Sequence, residues 1–168
     1  VVIPDFTGDG IKMSGIRLAT EIPPEIEDRE LDMRLSPRLA PNPSRRYVRG
    51  TAIHFYLELY DLTLGEDDRS RFQVEVSIHP DAEPMKNRNI LWRMLSNMEA
   101  LIQRKREEQV VTLMFEELGN DTTASWTSAI DTSDLTLGRY RLEVSVTDML
   151  TGNSVVQDQL FRVEKNDN

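Results

Sequence analysis

Strict alternation of apolar and polar residues is the feature that most constrains this fold. It is clearest in residues 138–154, GRYRLEVSVTDMLTGNS. The apolar residues there are Tyr140, Leu142, Val144 and Val146, and each is followed by a polar residue. Since residues two apart share one face of a β-strand, this segment predicts a strand with one buried face, followed by a turn.

The same period of two recurs in residues 51–60, 71–78, 109–118, 124–130 and 154–163. Short alternating strands separated by turn residues, with no regular strand–helix alternation, predict an antiparallel β-sandwich. The side chains predicted to point inward are Ile53, Phe55, Leu57, Leu59, Phe72, Val74, Val76, Ile78, Val111, Leu113, Phe115, Trp126, Ile130, Val155, Phe161 and Val163.

A β-hairpin is the simplest connection between the strands at 51–60 and 71–78. The residues between them, DLTLGEDDRS, are polar and include a glycine. Pairing Phe55 with Val76 would place every apolar side chain of both strands on one face. A slip of one residue would turn one strand's apolar set toward solvent, so burial is expected to fix this register.

Tyr140 lies two residues after Gly138, at the start of the penultimate predicted strand, and Leu135 precedes both. This arrangement is typical of the tyrosine corner of immunoglobulin-like sandwiches, in which the phenol bonds back to the backbone a few residues upstream. A plain core tyrosine is the alternative. The predicted fold class is all-β, an immunoglobulin-like antiparallel β-sandwich with one helical insertion.

The helical insertion is predicted at about residues 90–103, where apolar residues recur at steps of one, three and four. In one interpretation this helix covers an outer sheet face, over a platform of His54, Tyr56, Tyr60 and Met114. In a second it offers a methionine-rich face to a partner protein, and in a third the insertion is disordered. The candidate partner surface consists of Trp92, Met94, Leu95, Met98, Leu101, Tyr56 and Tyr60.

Two regions are expected along the chain. Residues 1–40 form an N-terminal extension with an edge strand, carried by Ile16, Leu18 and Ile22, and an acidic connector, PPEIEDRE, that contains two prolines. Residues 41–166 form the β-sandwich domain, which opens at the turn sequence PNPS.

Composition excludes several classes of partner and chemistry. The net charge of −9 makes nucleic acids and anionic lipids poor partners. No apolar run approaches the roughly 18 residues of a transmembrane helix, and the first residues lack the basic and apolar pattern of a signal peptide. With no cysteine, disulfides, thiolate nucleophiles and cysteine-based zinc sites are excluded.

No residue pattern points to catalysis, a cofactor or a metal centre. The two histidines, His54 and His79, both lie on the polar side of predicted strands and are not marked as members of a catalytic triad. The acidic loops TGDG (7–10) and GEDD (65–68) could bind Ca²⁺ weakly, but solvated turns are the simpler interpretation. The triplet NDT at 120–122 fits a glycosylation acceptor, a pattern common by chance.

Taken in order, the segments MSGIRLAT, APNPSRRY, HFYLELYDL, RFQVEVSI, ILWRML and GRYRLEVSVTDMLTGNS resemble the C-terminal region of bacterial GWxTD-domain proteins. The resemblance spans residues 13 to about 163. The Gly-Trp-x-Thr-Asp motif that gives this family its name is absent, so no functional residue of the family can be assigned to this sequence. The resemblance implies a β-sandwich of a larger protein in the periplasm, cell envelope or extracellular space.

The expected function is therefore a non-enzymatic interaction or accessory module, whose partner is another protein or a neighbouring domain of the same chain. A carbohydrate-binding module that stacks sugars on Tyr56, Tyr60 and Trp92 is one alternative. PNPS followed by alternating strands also resembles the C-terminal sorting domains of type 9 secretion, although those are shorter. A hydrolase is the third alternative.

Overall fold

The computed structural model describes residues 10–21, 40–81 and 111–166, and within these ranges the fold is all-β. Its strands, numbered in chain order, are β1 (Lys12–Met13), β2 (Arg17–Glu21), β3 (Ala40–Pro41), β4 (Arg46–Val48), β5 (Ala52–Tyr60), β6 (Ser70–Pro80), β7 (Val111–Gly119), β8 (Ala124–Asp131), β9 (Gly138–Asp148) and β10 (Ser154–Glu164).

The strands form two five-stranded sheets. In sheet A, β5 is central: β8 pairs with one edge, β1 and β2 pair with the other, and β3 pairs with β2. Sheet B has the order β4-β10-β9-β6-β7. Every pairing is antiparallel except that of β4 with β10, which is parallel.

In the described residues a hydrophobic core lies between the sheets, and the predicted inward faces of the strands are confirmed except at Val111, whose side chain lies outside the described part. β5 contributes Phe55, β6 Val74 and β9 Val144, and each of these side chains is fully buried. Leu113, Phe115 and Val155 are partly buried and pack against this core. The apolar faces of the two sheets thus pack against each other, as the alternation of apolar and polar residues along each strand requires.

The predicted hairpin between residues 51–60 and 71–78 is wrong, because β5 belongs to sheet A and β6 to sheet B. Phe55 pairs with Ser128 instead of Val76, and Val76 pairs with Val144. Alternation determines which face of a strand is buried, but not which strand lies beside it. The connection at 61–69 therefore crosses from one sheet to the other.

Leu62 shows how that crossing is held. Its side chain is buried in the core, and its backbone N–H donates to the carbonyl of Thr122 at 2.8 Å. An apolar residue in a sequence that otherwise resembles a solvated hairpin loop anchors the chain between the layers.

Residues 12–21 of the predicted N-terminal extension belong to sheet A. Ile16 and Leu18 are buried, and β2 lies between β5 and the two-residue strand β3. The connector at 23–30 and Ile22 lie outside the described residues, so the boundary at residues 40 and 41 stays a prediction.

The helix predicted at 90–103 also lies outside the described residues. Its predicted platform is not a single surface. His54, Tyr56 and Tyr60 alternate with the inward residues of β5 on the outer face of sheet A, whereas Met114 is on the outer face of sheet B. In the described ranges, no helix is long and apolar enough to cross a membrane.

Candidate functional site: an arginine-lined edge

The PNPS turn, residues 41–44, is organised by the side chain of Asn42. Its Oδ1 accepts hydrogen bonds from the Ser44 hydroxyl at 2.6 Å and from the Arg45 N–H at 3.1 Å. Its Nδ2 donates to the Arg46 carbonyl at 2.8 Å. Asparagine suits this position because its short amide can bond to the backbone a few residues on. The turn is therefore held in one conformation by side-chain bonds.

The PNPS turn also connects the two sheets. The Asn42 N–H donates to the Leu18 carbonyl of β2 at 3.0 Å. Three residues later, the Arg162 N–H of β10 donates to the Arg45 carbonyl at 2.8 Å. One short segment thus bonds to sheet A at one end and to sheet B at the other.

Tyr47 reinforces the connection between the sheets. From β4 in sheet B, its hydroxyl donates to the Ala19 carbonyl in sheet A at 3.1 Å. The ring is buried and meets Phe161 edge-on at 6.4 Å. Burial raises the pKa of Tyr47 to about 12, so the phenol stays protonated and remains a donor at neutral pH.

Arg45 has a backbone φ of 55°, in the left-handed region. Glycine and asparagine adopt this conformation readily, whereas a long side chain there is uncommon. Strain of this kind costs on the order of 1 kcal/mol or more and tends to occur at functional sites. The side chain of Arg45 is therefore a candidate for a functional role that is separate from folding.

Five arginines lie together at this edge of sheet B and are called the arginine surface: Arg45, Arg46, Arg139, Arg141 and Arg162. The strand registers place Arg162 directly opposite both Arg46 and Arg139. Like charges in opposed positions of a sheet are destabilising unless they are compensated. A chain with a net charge of −9 thus has five positively charged side chains on one part of its surface.

Among the described residues, three carboxylates compensate part of that charge. Glu164 lies 3.6 Å from Arg46 and 3.3 Å from Arg162. Asp81 is 2.7 Å from Arg139 and 3.7 Å from Arg141. Asp158 also bonds to Arg141, at 3.3 Å. The ion pairs shown by the described residues therefore neutralise part of the positive charge of the arginine surface.

Two concavities flank Arg45. The arginine groove, of about 200 Å³, is lined by Arg45, Arg46, Arg139 and Arg162 around Leu160 and Phe161. On the other side, the PNPS cavity measures about 330 Å³. It is lined by residues at β2, at the PNPS turn and on β10: Ile16, Arg17, Leu18, Pro41, Asn42, Pro43, Arg45 and Gln159.

A second polar cluster occupies the outer face of sheet A. The hydroxyls of Tyr56 and Tyr60 donate to the two oxygens of Glu58, the Tyr56 bond measuring 2.6 Å. The guanidinium of Arg17 lies over the Tyr56 ring, 5.9 Å from its centroid. Both carboxylate oxygens of Glu58 are thus hydrogen-bonded within this cluster.

The ionisation of this cluster follows from its bonds. Hydrogen bonds from Tyr56 and Tyr60 hold the pKa of Glu58 below its usual range. Burial, then the bond to Glu58, raises the pKa of Tyr56 well above the ordinary value. The bond to Glu58 raises the pKa of Tyr60 to about 12. At neutral pH, two protonated phenols therefore donate hydrogen bonds to one ionised carboxylate.

The predicted partner surface is described only at Tyr56 and Tyr60; Trp92, Met94, Leu95, Met98 and Leu101 lie outside the described residues. The expected open ring of Tyr56 is wrong, because the residue is only 3% exposed.

Other sequence candidates lie apart from the arginine-lined edge. His54 is on sheet A and His79 on sheet B. Among the described residues, no three His, Asp or Glu side chains are grouped closely enough to hold a metal ion. In the loop at 65–68, Asp67 bonds to Arg71 at 2.6 Å.

Tyr140 is buried and stacks on Phe161 at 5.5 Å. Its hydroxyl donates to the Thr136 carbonyl, four residues upstream, at 2.9 Å. This is the bond that defines a tyrosine corner.

The arginine surface was missed in the sequence, although its signal is visible there. Arg46, Arg139, Arg141 and Arg162 alternate with buried residues in RRY, GRYR and FRV, so these four are directed to the outer face of sheet B, and Arg45 directly precedes Arg46. Their convergence depends on strand neighbours, since β4 is distant in sequence from the consecutive strands β9 and β10.

Comparison with known proteins gives no family assignment. No family model matches the chain, and no curated protein matches it. Among solved structures, the soluble domain of PmoD from Methylocystis sp. is similar over 95% of each chain, with 11% sequence identity and a TM-score of 0.41.

Proposed function

We propose that this chain is a non-enzymatic, immunoglobulin-like interaction module that binds an acidic protein surface through the arginine surface. The observation that carries this proposal is the collection of five arginines at one edge of a strongly acidic protein. Arginine is enriched in protein interfaces because its planar group bonds to carboxylates in pairs.

The strand arrangement supports the immunoglobulin-like assignment. In those folds, strands G, F and C share one sheet, with C′ added in variable-type domains, and strands A, B and E share the other. Sheet B has β10, β9, β6 and β7 in that order, and sheet A has β2, β5 and β8. Tyr140 then lies at the start of the strand equivalent to F, directly after the E–F corner.

The mixture of charges favours a protein over a nucleic acid. Asp81, Asp158 and Glu164 are interspersed with the arginines and would repel a continuous phosphate backbone. A folded partner with separate carboxylates can instead place each one beside an arginine.

The resemblance to GWxTD-domain proteins supports a setting for this module, in a larger bacterial protein of the periplasm or cell envelope. In that setting the partner is a neighbouring domain or another envelope protein. The helix predicted at 90–103 would add a second, apolar contact. The carbohydrate alternative loses support, since Tyr56 offers no open ring for stacking. The sorting-domain alternative rests on the sequence resemblance alone.

A titration with a synthetic acidic peptide tests the proposal. We expect backbone amide NMR shifts on β4, β9 and β10, with an affinity that weakens as salt increases. The double variant Arg46→Gln/Arg162→Gln should bind about tenfold more weakly, because two charge-assisted contacts are lost. Arg69→Gln, an exposed arginine outside the arginine surface, is the matched control.

Two results would contradict the proposal. Equal weakening by Arg69→Gln would mean that the peptide responds only to overall charge. An oligonucleotide that binds more tightly than the peptide at the same salt concentration would identify the arginine surface as a nucleic-acid site.

A further inference from the structure

The carboxylate of Glu164 faces two members of the arginine surface. Its Oε1 lies 3.6 Å from Nη1 of Arg46 and 3.3 Å from Nε of Arg162. Arg162 pairs with Arg46 across β10 and β4, and Glu164 follows two residues later on β10. Because residues two apart share a face of a strand, all three side chains lie on the outer face of sheet B. One carboxylate oxygen is thus shared between two guanidinium groups.

The contact between Glu164 and these two arginines is not a hydrogen bond. In the described part of the chain, the guanidinium groups of Arg46 and Arg162 donate no hydrogen bond at all. The pair formed by Arg139 and Asp81 is different, because Nη2 of Arg139 donates to Oδ2 of Asp81 at 2.7 Å. Each guanidinium has five N–H donors, so Arg46 and Arg162 keep theirs for another acceptor.

The exposure of the three side chains points the same way. Those of Arg46 and Arg162 are 63% and 55% exposed, and that of Glu164 is 34% exposed. Ion pairs as exposed as these stabilise a fold only slightly. Displacing Glu164 from the two arginines therefore costs little when the incoming carboxylate forms better hydrogen bonds.

We propose that Arg46 and Arg162 receive the partner's carboxylate and that Glu164 competes with it for them. This inference rests on the proposed function, since it assigns the residues that set the affinity of the same surface. A carboxylate of an acidic partner binds arginine through paired, charge-assisted hydrogen bonds, which Glu164 does not form. Glu164 thus lowers the affinity for acidic partners and is displaced when one binds.

Glu164→Gln tests the competition. The change removes the competing charge but keeps the size of the side chain and the backbone carbonyl, which accepts the Arg49 N–H at 2.9 Å. Hexaglutamate is the probe, and its affinity is measured by calorimetric titration at one salt concentration. Glu164→Gln should bind it about three- to fivefold more tightly than the wild type, because a like charge beside the arriving carboxylate is removed. The melting temperature should change little.

Glu116→Gln is the matched control. Glu116 is an exposed glutamate on β7, the opposite edge strand of sheet B from β4, and its replacement changes the net charge equally. Four strand spacings of about 4.8 Å each separate β7 from β4, which is about twice the screening length at physiological salt. Hexaglutamate should therefore bind Glu116→Gln as it binds the wild type.

The double variant Arg46→Gln/Arg162→Gln provides a second comparison. In that background Glu164→Gln should give no gain in affinity, because the arginines that it would release are gone. A gain as large as in the wild type would mean that Glu164 acts through the overall charge, and this would overturn the proposal.

The results also separate this inference from the proposed function. Unchanged or weaker binding by Glu164→Gln, or an equal gain in Glu116→Gln, would overturn the competition and leave the proposed function intact. Weaker binding in particular would show that Glu164 positions the arginines. Binding by Glu164→Gln but not by the wild type would support the competition and contradict the proposed function. No binding by either protein would overturn both.

Discussion

The backbone N–H of Thr63 donates a hydrogen bond of 2.9 Å to Oδ2 of Asp148, which ties the crossing between the sheets to the turn after β9. The other oxygen, Oδ1, accepts from the N–H groups of Leu150 at 2.9 Å and Thr151 at 3.3 Å. Asp148 is 1% exposed, so one buried carboxylate satisfies three backbone donors from two distant segments.

Asp148→Asn should lower the free energy of unfolding by about 2–3 kcal/mol. An amide retains one acceptor oxygen, but its NH₂ group must then face a buried backbone donor. Urea denaturation monitored by tryptophan fluorescence measures the loss. Asp134→Asn, a change at an exposed aspartate in the loop before β9, should have little effect. Equal stability of the two variants would show that the bonds to Asp148 contribute nothing net.

The contribution of Asp148 should also depend on pH. Burial raises the pKa of Asp148, but hydrogen bonds from Thr63, Leu150 and Thr151 outweigh burial and hold the pKa below its ordinary value. A folded-state pKa below the unfolded value of about 3.9 stabilises the fold above that pH, and the stabilisation is lost as the pH falls through the folded pKa. The stability difference between the wild type and Asp148→Asn should therefore shrink as the pH falls below about 4. A difference independent of pH would contradict this account.

The burial of each strand could be predicted because it is a local property. Phe55, Val74 and Val144 point inward on the strength of alternation alone, and all three are fully buried. The partner of each strand depends on long-range contacts, which alternation does not encode. The buried side chain of Leu62 and the bond from Thr63 to Asp148 turn an expected hairpin into a crossing between sheets.

The candidate site was less predictable than the core for the same reason. Arg46, Arg139 and Arg162 become neighbours only when β4 pairs in parallel with β10, and β10 with β9. The positive φ of Arg45 follows from bonds made by Asn42, which the sequence indicates only as a turn. A polar residue that alternates with apolar residues along a strand is expected to point outward. The alternation does not indicate which other side chains lie beside it.

Leu57 and Leu118 provide a matched test of the two-layer core. Both are leucines on β-strands, but Leu57 is fully buried and Leu118 is 64% exposed. Leu57→Ala should cost about 2–5 kcal/mol, because it removes core contacts and leaves a cavity. Leu118→Ala should change stability by less than about 0.5 kcal/mol. Similar losses in chemical denaturation would mean that β5 does not face the core as described.

The last prediction concerns the bond between Tyr140 and the Thr136 carbonyl. Tyr140→Phe keeps the ring stacked on Phe161 but removes the only hydroxyl hydrogen that reaches this carbonyl in the described residues. The free energy of unfolding should fall by about 1 kcal/mol, because the buried Tyr140 loses its hydrogen bond to the backbone.

Thr136→Val is the control for Tyr140→Phe. Thr136 is exposed, and the change removes its side-chain contact with Tyr140 while keeping the backbone carbonyl, so the loss should be smaller. If Tyr140→Phe is as stable as the wild type, the ring alone accounts for the role of Tyr140. It would then be an ordinary core tyrosine, and the immunoglobulin-like assignment would lose its most specific support.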